Sequence, residues 1–347
     1  MIGFSKGHDA IAMKKHGTMI KRGCLLACAT LLVSCQAGIP VHPQAKPGST
    51  QESALSRLDA TLAGEYDNYE QIQRVHPEVR AGKVIAVPHL WEQLRMLSRD
   101  GKASLWLWHL KILDKAHPLD VAWIYLLSAG SATQVTMTPY RAIDPATMKH
   151  ALSDKPGEFK FVSAQWAELA PCAQSGKWQN GHFSATANVA ACSALLPGLG
   201  ESAALLPLRI AYDSEMLRTS TFADQARGSD AMSDARRVRW FKGWAAINGG
   251  GRNAKAGNQD WHMNKGLRVS SEGGHVELHW RDGANSGYSL LLERKNYAER
   301  HLDVLQLNVV DDHSGQTIDY VWTDPAANAI GLNLGWLQVA LTQSGHP

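Results

Sequence analysis

Short apolar and aromatic runs, separated by turn residues, recur through the middle of this 347-residue chain. Runs that are rich in Val, Ile, Trp and Tyr and bounded by turns are typical of β-strands. Because little helical periodicity lies between them, the pattern predicts an antiparallel sheet or barrel. Residues 212–236 are polar and fit either a helix or a long loop. The predicted strands are residues 106–110, 121–127, 134–138, 205–210 and 237–241.

A short helix is predicted before these strands. Leu55, Leu58 and Leu62 recur at helical spacing, and Gly64 fits the C-terminal end of a helix. We expect this helix either to pack one face on the barrel or to plug its end.

Residues 62–71 carry polar side chains on both faces if they form a strand. Alternation would place Tyr66 and Asn68 on one face and Asp67 and Gln71 on the other. Neither face is apolar enough for an ordinary core strand. Two interpretations stay open at this point: a strand that lines a polar cavity, or an exposed edge strand with a solvated face.

The glycine-rich residues 248–253 interrupt the pattern and predict a domain boundary. Beyond them, four alternating runs separated by turn residues predict an antiparallel meander, a small β domain at residues 258–342. The predicted strands are residues 276–280, 288–292, 305–309 and 318–322.

The first of these strands places His275, Glu277 and His279 on one face, about 7 Å apart in succession. Two histidines and a carboxylate can bind a metal ion. The solvated side of an amphipathic strand is the favoured interpretation, so no metal site is predicted.

The N-terminal residues have the form of a lipoprotein signal peptide. A basic cluster around Lys14 and Lys21 precedes an apolar run of about ten residues, which is too short to span a bilayer. The run ends in Leu32-Val33-Ser34-Cys35, which has the form of a lipobox. In this interpretation Cys35 carries the lipid; an ordinary signal peptide with an incidental cysteine is the less favoured alternative.

The lipobox predicts three things about the mature chain. Residues 1–34 are removed, residues 35–49 form a flexible tether, and the lipid on Cys35 anchors the protein to a membrane. Gln36 provides no inner-membrane retention signal, so the predicted location is the outer membrane of a Gram-negative envelope, facing the periplasm. Globomycin-sensitive processing is the measurement that checks this prediction.

Removal of the signal peptide changes the charge and the cysteine content. The full chain has a formal charge of +3, but residues 1–34 carry five basic groups and one acid, which leaves the mature chain near −1. A near-neutral chain offers no electrostatic basis for nucleic-acid binding. Cys172 and Cys192 remain besides Cys35, and an even pair in an oxidising compartment predicts a disulfide, worth about 3 kcal/mol.

Five segments, taken in order, resemble the CpcT/CpeT family of bilin lyases, which attach chromophores to phycobiliproteins. The resemblance covers about residues 50–247 and implies a calycin-like (lipocalin-like) antiparallel barrel that holds a small ligand. The segments are Tyr66-Asp67-Asn68-Tyr69-Glu70-Gln71, Trp123-Ile124-Tyr125, Pro139-Tyr140-Arg141, the pair Cys172 and Cys192, and Phe241-Lys242-Gly243-Trp244.

The resemblance also implies a chemistry. A bilin lyase adds a cysteine thiolate of its acceptor to an exocyclic double bond of a tetrapyrrole, which requires an aromatic-lined cleft with a few polar groups. Tyr66 and Asp67 are then the catalytic candidates, and Arg141 would pair with a propionate. Core packing is the favoured explanation for Trp123 and Tyr125 taken singly, and a surface ion pair explains Arg141 equally well. The ligand-binding candidates are Asn68, Gln71, Trp123, Tyr125, Tyr140 and Arg141.

Three functions follow from these observations. The leading hypothesis is a family lipoprotein that handles a bilin-like tetrapyrrole or a similar apolar molecule, with no known cofactor. The alternatives are a non-catalytic lipoprotein that binds a lipid or hydrophobic ligand, and an envelope module that binds another protein. Because phycobiliproteins are assembled inside the cell, the predicted envelope address leaves catalysis open. The expected partners are a small apolar ligand and the membrane, and a homodimer stays open.

Overall fold

The structure is a computed structural model that describes residues 53–81, 87–114, 118–153, 158–195, 204–221, 224, 232–255, 257–297 and 302–345. These residues belong to one compact unit, Thr50–Pro347. The predicted signal peptide, the tether and the lipidation site Cys35 lie outside the described residues. Within the described residues, no helix is long and apolar enough to cross a membrane.

Antiparallel strands in the first two thirds of the chain close into a ten-strand barrel. The strands are β1 (Gly64–Asp67), β2 (Leu90–Asp100), β3 (Ala103–Ile112), β4 (Leu119–Ala129), β5 (Gln134–Ala142), β6 (Trp166–Glu168), β7 (Gln174–Gln179), β8 (His182–Ala187), β9 (Pro207–Tyr212), β10 (Met216–Thr221) and β11 (Ser233–Arg237). They follow the order β4-β3-β2-β1-β11-β10-β9-β8-β7-β5, and pairing of β4 with β5 closes the ring. Strand β6 pairs with the end of β5, on the edge opposite β4. The prediction of a mainly β, calycin-like barrel is confirmed.

Alternation along each strand separates the barrel interior from its outer face. On β4, Trp123 and Tyr125 belong to the interior cluster, whereas Ile124 packs outside with Leu107 of β3. Each large apolar side chain that is removed from water stabilises the fold by about 1.5–3 kcal/mol. A strand covered on both faces needs apolar residues at odd and even positions, which explains the unbroken apolar run of β4.

The first helix, α1 (Ala54–Thr61), inserts its leucines into this interior. Ser53 caps it by accepting a hydrogen bond from the Ser56 amide at 3.1 Å, and Leu55 and Leu58 are buried in the barrel cluster. The predicted short N-terminal helix is therefore confirmed. The other helices are α2 (Tyr69–Arg80), α3 (Pro145–Ser153) and α4 (Val189–Ser193).

The prediction of a strand over residues 62–71 is wrong in its second half. Strand β1 ends at Asp67, and α2 begins at Tyr69. The Asp67 carboxylate accepts the Tyr69 amide at 2.8 Å, and the Ile72 amide bonds to the Asn68 carbonyl at 3.1 Å, so a side-chain cap starts a helix in the middle of the polar segment. The exposed-edge interpretation is also excluded, because β1 pairs with β2 on one side and β11 on the other.

The C-terminal strands form two four-stranded sheets that face each other across an apolar core. The strands are β12 (Trp240–Asn248), β13 (Trp261–Ser270), β14 (Glu272–His279), β15 (Asn285–Tyr297), β16 (Leu302–Asp311), β17 (Gln316–Thr323), β18 (Ala329–Asn333) and β19 (Leu337–Ser344). One sheet has the order β14-β15-β16-β17, which confirms the predicted meander. The other has the order β13-β12-β19-β18, and we call the pair of sheets the sandwich.

The sandwich begins earlier than the sequence predicts. Strand β12 pairs with β13 and β19 along its length, so the last residues of the predicted barrel domain at 50–247 belong to the sandwich. Phe241, Ala245 and Ile247 explain the difference, because they point into the sandwich core. The predicted strand at residues 237–241 is accordingly divided between β11 and β12.

Candidate functional site

Tyr66 lies on β1 and belongs to the interior cluster. Its hydroxyl donates to the Leu62 carbonyl at 2.9 Å and accepts from Arg237 at 2.5 Å. Burial raises the pKa of Tyr66 well above its ordinary value, although the Arg237 charge opposes that rise. A neutral phenol with two protein partners connects α1 to the barrel, and the geometry gives it a structural role.

The other polar residues of the early segment fasten α2 to the barrel. Asp67 contacts His89 Nε2 at 2.7 Å, and burial raises the pKa of Asp67 while that histidine opposes the rise. Asn68 accepts from the Leu90 amide at 2.8 Å and donates to the Pro88 carbonyl at 2.9 Å.

Gln71 completes this arrangement on α2. It donates to the Met232 carbonyl at 3.0 Å and accepts from the Asp234 amide at 2.9 Å. Asn68 Nδ2 lies 3.5 Å from Gln71 Oε1, whereas Tyr66 contacts Leu62 and Arg237. Their polar groups have partners within the protein, which is what a structural junction requires.

Two predicted ligand-binding residues line the interior. Trp123 and Tyr125 are inward-facing neighbours on β4, and the Tyr125 ring lies 5.3 Å from that of Trp108. The indole Nε1 of Trp123 and the hydroxyl of Tyr125 are buried without a hydrogen-bond partner among the described residues. An unpaired buried polar group costs about 1–3 kcal/mol.

The same interior holds a carboxyl group, Glu92 on β2. Glu92 is fully buried; Trp108 Nε1 donates to it at 2.6 Å and the Thr219 hydroxyl donates at 3.3 Å. Burial raises the pKa of Glu92 to about 7, although both hydrogen bonds oppose the rise. The charge of Glu92 in turn adds to the effect of burial in raising the pKa of Tyr125. Glu92 can thus gain or lose a proton near neutral pH inside an aromatic enclosure.

Tyr140, unlike the other predicted aromatic ligand-binding residues Trp123 and Tyr125, lies on the outer face of the barrel. Its ring packs edge-on against Phe161 at 5.5 Å, in the cluster that covers the outer face of the barrel. Burial raises the pKa of Tyr140, and nearby Glu168 adds to that rise. The structure does not bring Tyr140 to the interior wall.

Arg141 falls on the inner side of the same strand. Met137 of β5 belongs to the interior cluster, and Arg141 lies four residues further along, on the same face. Ile124 pairs with Tyr140, so continuing this register sets Arg141 opposite Trp123. Arg141 Nε is buried without a hydrogen-bond partner among the described residues. The Arg141 guanidinium and the Trp123 indole therefore lie at neighbouring positions, and each has an N–H group without a partner among the described residues.

The sequence analysis missed Glu92, Trp108 and Thr219 as site residues. The signal for Glu92 is weak, because Leu90, Glu92 and Leu94 alternate on the inner face of β2, and a carboxylate at one inward position looks like an ordinary surface residue. Only closure of the barrel shows that this position is enclosed.

The predicted disulfide is confirmed. Cys172 and Cys192 are bonded, with their Cα atoms 4.5 Å apart, and both lie in the interior cluster. The bond links the short 3₁₀ turn Ala170–Cys172 to α4, next to the barrel wall.

The histidine and glutamate face of β14 stays solvated. Glu277 and His279 are exposed and 4.0 Å apart. Across the part of the chain that the structure describes, no group of three or more His, Cys, Asp or Glu residues is placed to hold a metal ion.

No protein-family model, curated protein or solved structure matches this chain. The barrel is compatible with a ligand-binding, calycin-like protein. Its chemistry must therefore be argued from the interior residues themselves.

Proposed function

We propose that the barrel interior binds a small, largely apolar and conjugated molecule of the tetrapyrrole class. The observation that carries this proposal is Glu92, a fully buried carboxyl group held by Trp108 and Thr219 among aromatic side chains, with a pKa that burial raises. Burying an ionisable group costs several kcal/mol, and a fold has no need of one in its core. A ligand with its own N–H groups or positive charge would offset that cost.

The interior offers each group that a bilin would need. Trp108, Trp123 and Tyr125 supply flat apolar walls for a conjugated ring system. Glu92 supplies an acceptor for pyrrole N–H groups when ionised and a proton when neutral. Arg141 Nε–H and Trp123 Nε1–H supply donors for a propionate.

This proposal changes the roles that the sequence suggests. Glu92 takes the place of Tyr66 and Asp67 as the proton-exchanging group, because the latter two are occupied by α1, Arg237, His89 and Tyr69. Asn68 and Gln71 support the wall from outside. The order of segments shared with the CpcT/CpeT lyases supports the tetrapyrrole class. It is also the sole support for a lyase activity, whereas the envelope location rests on the lipobox that ends at Cys35.

The test is a titration of the full chain with biliverdin, followed by visible absorption and by quenching of tryptophan fluorescence. We expect a saturable red shift and quenching in the wild type. Glu92→Gln should weaken binding at pH 8 by about tenfold, because an ionised acceptor is lost. Glu277→Gln, which removes an exposed carboxylate of the sandwich, should bind like the wild type. Absence of saturable binding to the wild type would refute the proposal.

A further inference from the structure

A cavity lies where the barrel meets the sandwich, and the proposed function does not use it. It has a volume of about 590 Å³, within the range of small-molecule sites, and junctions between folded bodies are common places for such sites. Three arginines line it: Arg236 from β11, Arg239 from the β11–β12 connection and Arg294 from β15. We call it the junction cleft.

Arg294 forms the most buried part of the cleft. Its side chain is 9% exposed; it bonds to the buried Glu272 and donates to the Arg237 carbonyl at 2.7 Å. Burial raises the pKa of Glu272 to about 7, although Arg294 opposes the rise. Arg294 Nη1 also lies 3.6 Å from the solvated carboxylate of Glu215.

Arg239 has neutral partners. It donates to the carbonyls of Pro325 and Ala327, and to the Gln343 side chain at 3.1 Å. No carboxylate oxygen of the described residues lies within 4.0 Å of it. Burial, followed by the charge of nearby Arg294, lowers the pKa of Arg239, while the charges of Glu215, Glu272 and Asp324 oppose that fall.

Arg236 has carboxylate neighbours at long range. Its Nη2 lies 3.6 Å from Glu70 and 3.7 Å from Asp303, both beyond the length of a good hydrogen bond. The carboxylates at the cleft opening are solvated, since Glu215 is 66% exposed and Asp303 is 49% exposed. Buried carboxylates of Glu70 and Glu272 lie against Arg236 and Arg294, while the rim carboxylates are solvated and screened by water. Arg239 is thus the arginine of the cleft that has no carboxylate contact among the described residues.

We propose that the junction cleft binds a small molecule through an oxyanion, a phosphate or carboxylate group, held by Arg236, Arg239 and Arg294. Such a group has several acceptor oxygens, and guanidinium donors match it in a planar, paired geometry. It would supply Arg239 with the anionic contact that it lacks among the described residues. A bound anion would also join the barrel to the sandwich, because Arg236 and Arg294 come from different bodies.

The experiment measures binding of inorganic phosphate, citrate and anionic phospholipid vesicles to the full chain at low ionic strength, by calorimetry and thermal shift. We expect saturable binding of phosphate or citrate, and the stronger of the two identifies the oxyanion. Binding to vesicles alone would assign the arginines to a membrane surface and overturn the small-molecule proposal. Arg239→Gln should weaken anion binding at least tenfold, because one charged hydrogen-bond donor group is lost.

Two further variants keep the proposal falsifiable if Arg239→Gln disturbs the fold. Glu215→Gln removes a solvated rim carboxylate and should tighten anion binding about threefold, since a nearby repulsive charge is removed. Glu277→Gln removes an equally exposed carboxylate away from the cleft and should leave binding unchanged. An equal effect of both variants, or an equal thermal shift from sodium chloride at matched ionic strength, would reduce the effect to general screening and overturn the proposal.

Discussion

The barrel and the sandwich are both built from antiparallel strands, yet their interiors differ in chemistry. The sandwich interior is filled by aliphatic side chains such as Leu292, Leu305 and Leu307 at inward positions. The barrel interior mixes aromatic rings with Glu92 and Tyr125, which bring a carboxyl group and an unpaired hydroxyl. Apolar packing suffices for stability, so the polar groups of the barrel interior are the feature on which the proposed function rests.

The largest expected effect tests the sandwich as the stabilising body. Leu307→Ala removes a fully buried side chain between the two sheets and should lower the free energy of unfolding by about 2–5 kcal/mol, because it leaves a cavity. Urea denaturation followed by circular dichroism measures it. A decrease in the free energy of unfolding of less than about 1 kcal/mol would mean that the sandwich core collapses around the gap. The sandwich would then not be the stabilising, tightly packed body that the comparison with the barrel assumes.

The second prediction concerns the pH dependence that Glu92 gives the barrel. Its pKa rises from an ordinary value of 4.5 to about 7 on folding. Between these two pH values, the folded chain therefore keeps a proton on Glu92 that the unfolded chain has released. Stability is therefore highest below pH 4.5 for this group and falls as the pH rises to 7, by about 3 kcal/mol. Glu92→Gln should remove that fall.

The measurement is the free energy of unfolding of wild type and Glu92→Gln between pH 4.5 and pH 8. The difference between them matters, because burial raises the pKa of Glu272 in the same direction and both proteins contain Glu272. We expect the variant to gain on the wild type from pH 4.5 to about pH 7 and then to keep a constant advantage up to pH 8. Parallel curves would show that Glu92 does not titrate in the folded barrel.

Much of the fold could be predicted because local alternation records which side of a strand is buried. The meander of the sandwich has one apolar face, so period two gives its four strands directly. Strand β2 was missed because Trp91 and Arg95 occupy outward positions and hide the alternation. The change from β1 to α2 depends on one capping contact from Asp67, which a periodicity argument does not detect.

The candidate site was harder to predict, since it depends on ring closure. Glu92 on β2 and Thr219 on β10 are 127 residues apart in sequence. Their strands are separated in the ring by β1 and β11, and the two side chains meet in the barrel interior. The resemblance pointed to Trp123, Tyr125 and Arg141, which do face inward. It also pointed to residues near Asp67 whose partners are now seen to be structural. Register and burial are long-range properties that no local motif contains.

The smallest expected effects compare two tyrosines of the barrel interior, and they sharpen the contrast further. Tyr66→Phe removes a hydroxyl that bonds to the Leu62 carbonyl and to Arg237, and should cost about 1–2 kcal/mol of stability. Tyr125→Phe removes a buried hydroxyl with no partner among the described residues, and should leave stability unchanged or raise it by up to about 1 kcal/mol. Thermal unfolding at pH 6 measures both.

The sign of the Tyr125→Phe effect distinguishes a dry interior from an occupied one. If the interior is dry, removing an unpaired hydroxyl raises the stability of the protein. If the hydroxyl bonds to internal water or to a copurified ligand, removing it lowers the stability by about 1 kcal/mol. Tyr66→Phe provides the scale, because it differs from wild type by the same oxygen atom. If Tyr125→Phe costs as much as Tyr66→Phe, then the Tyr125 hydroxyl is in use, and mass spectrometry of the purified chain should reveal what it binds.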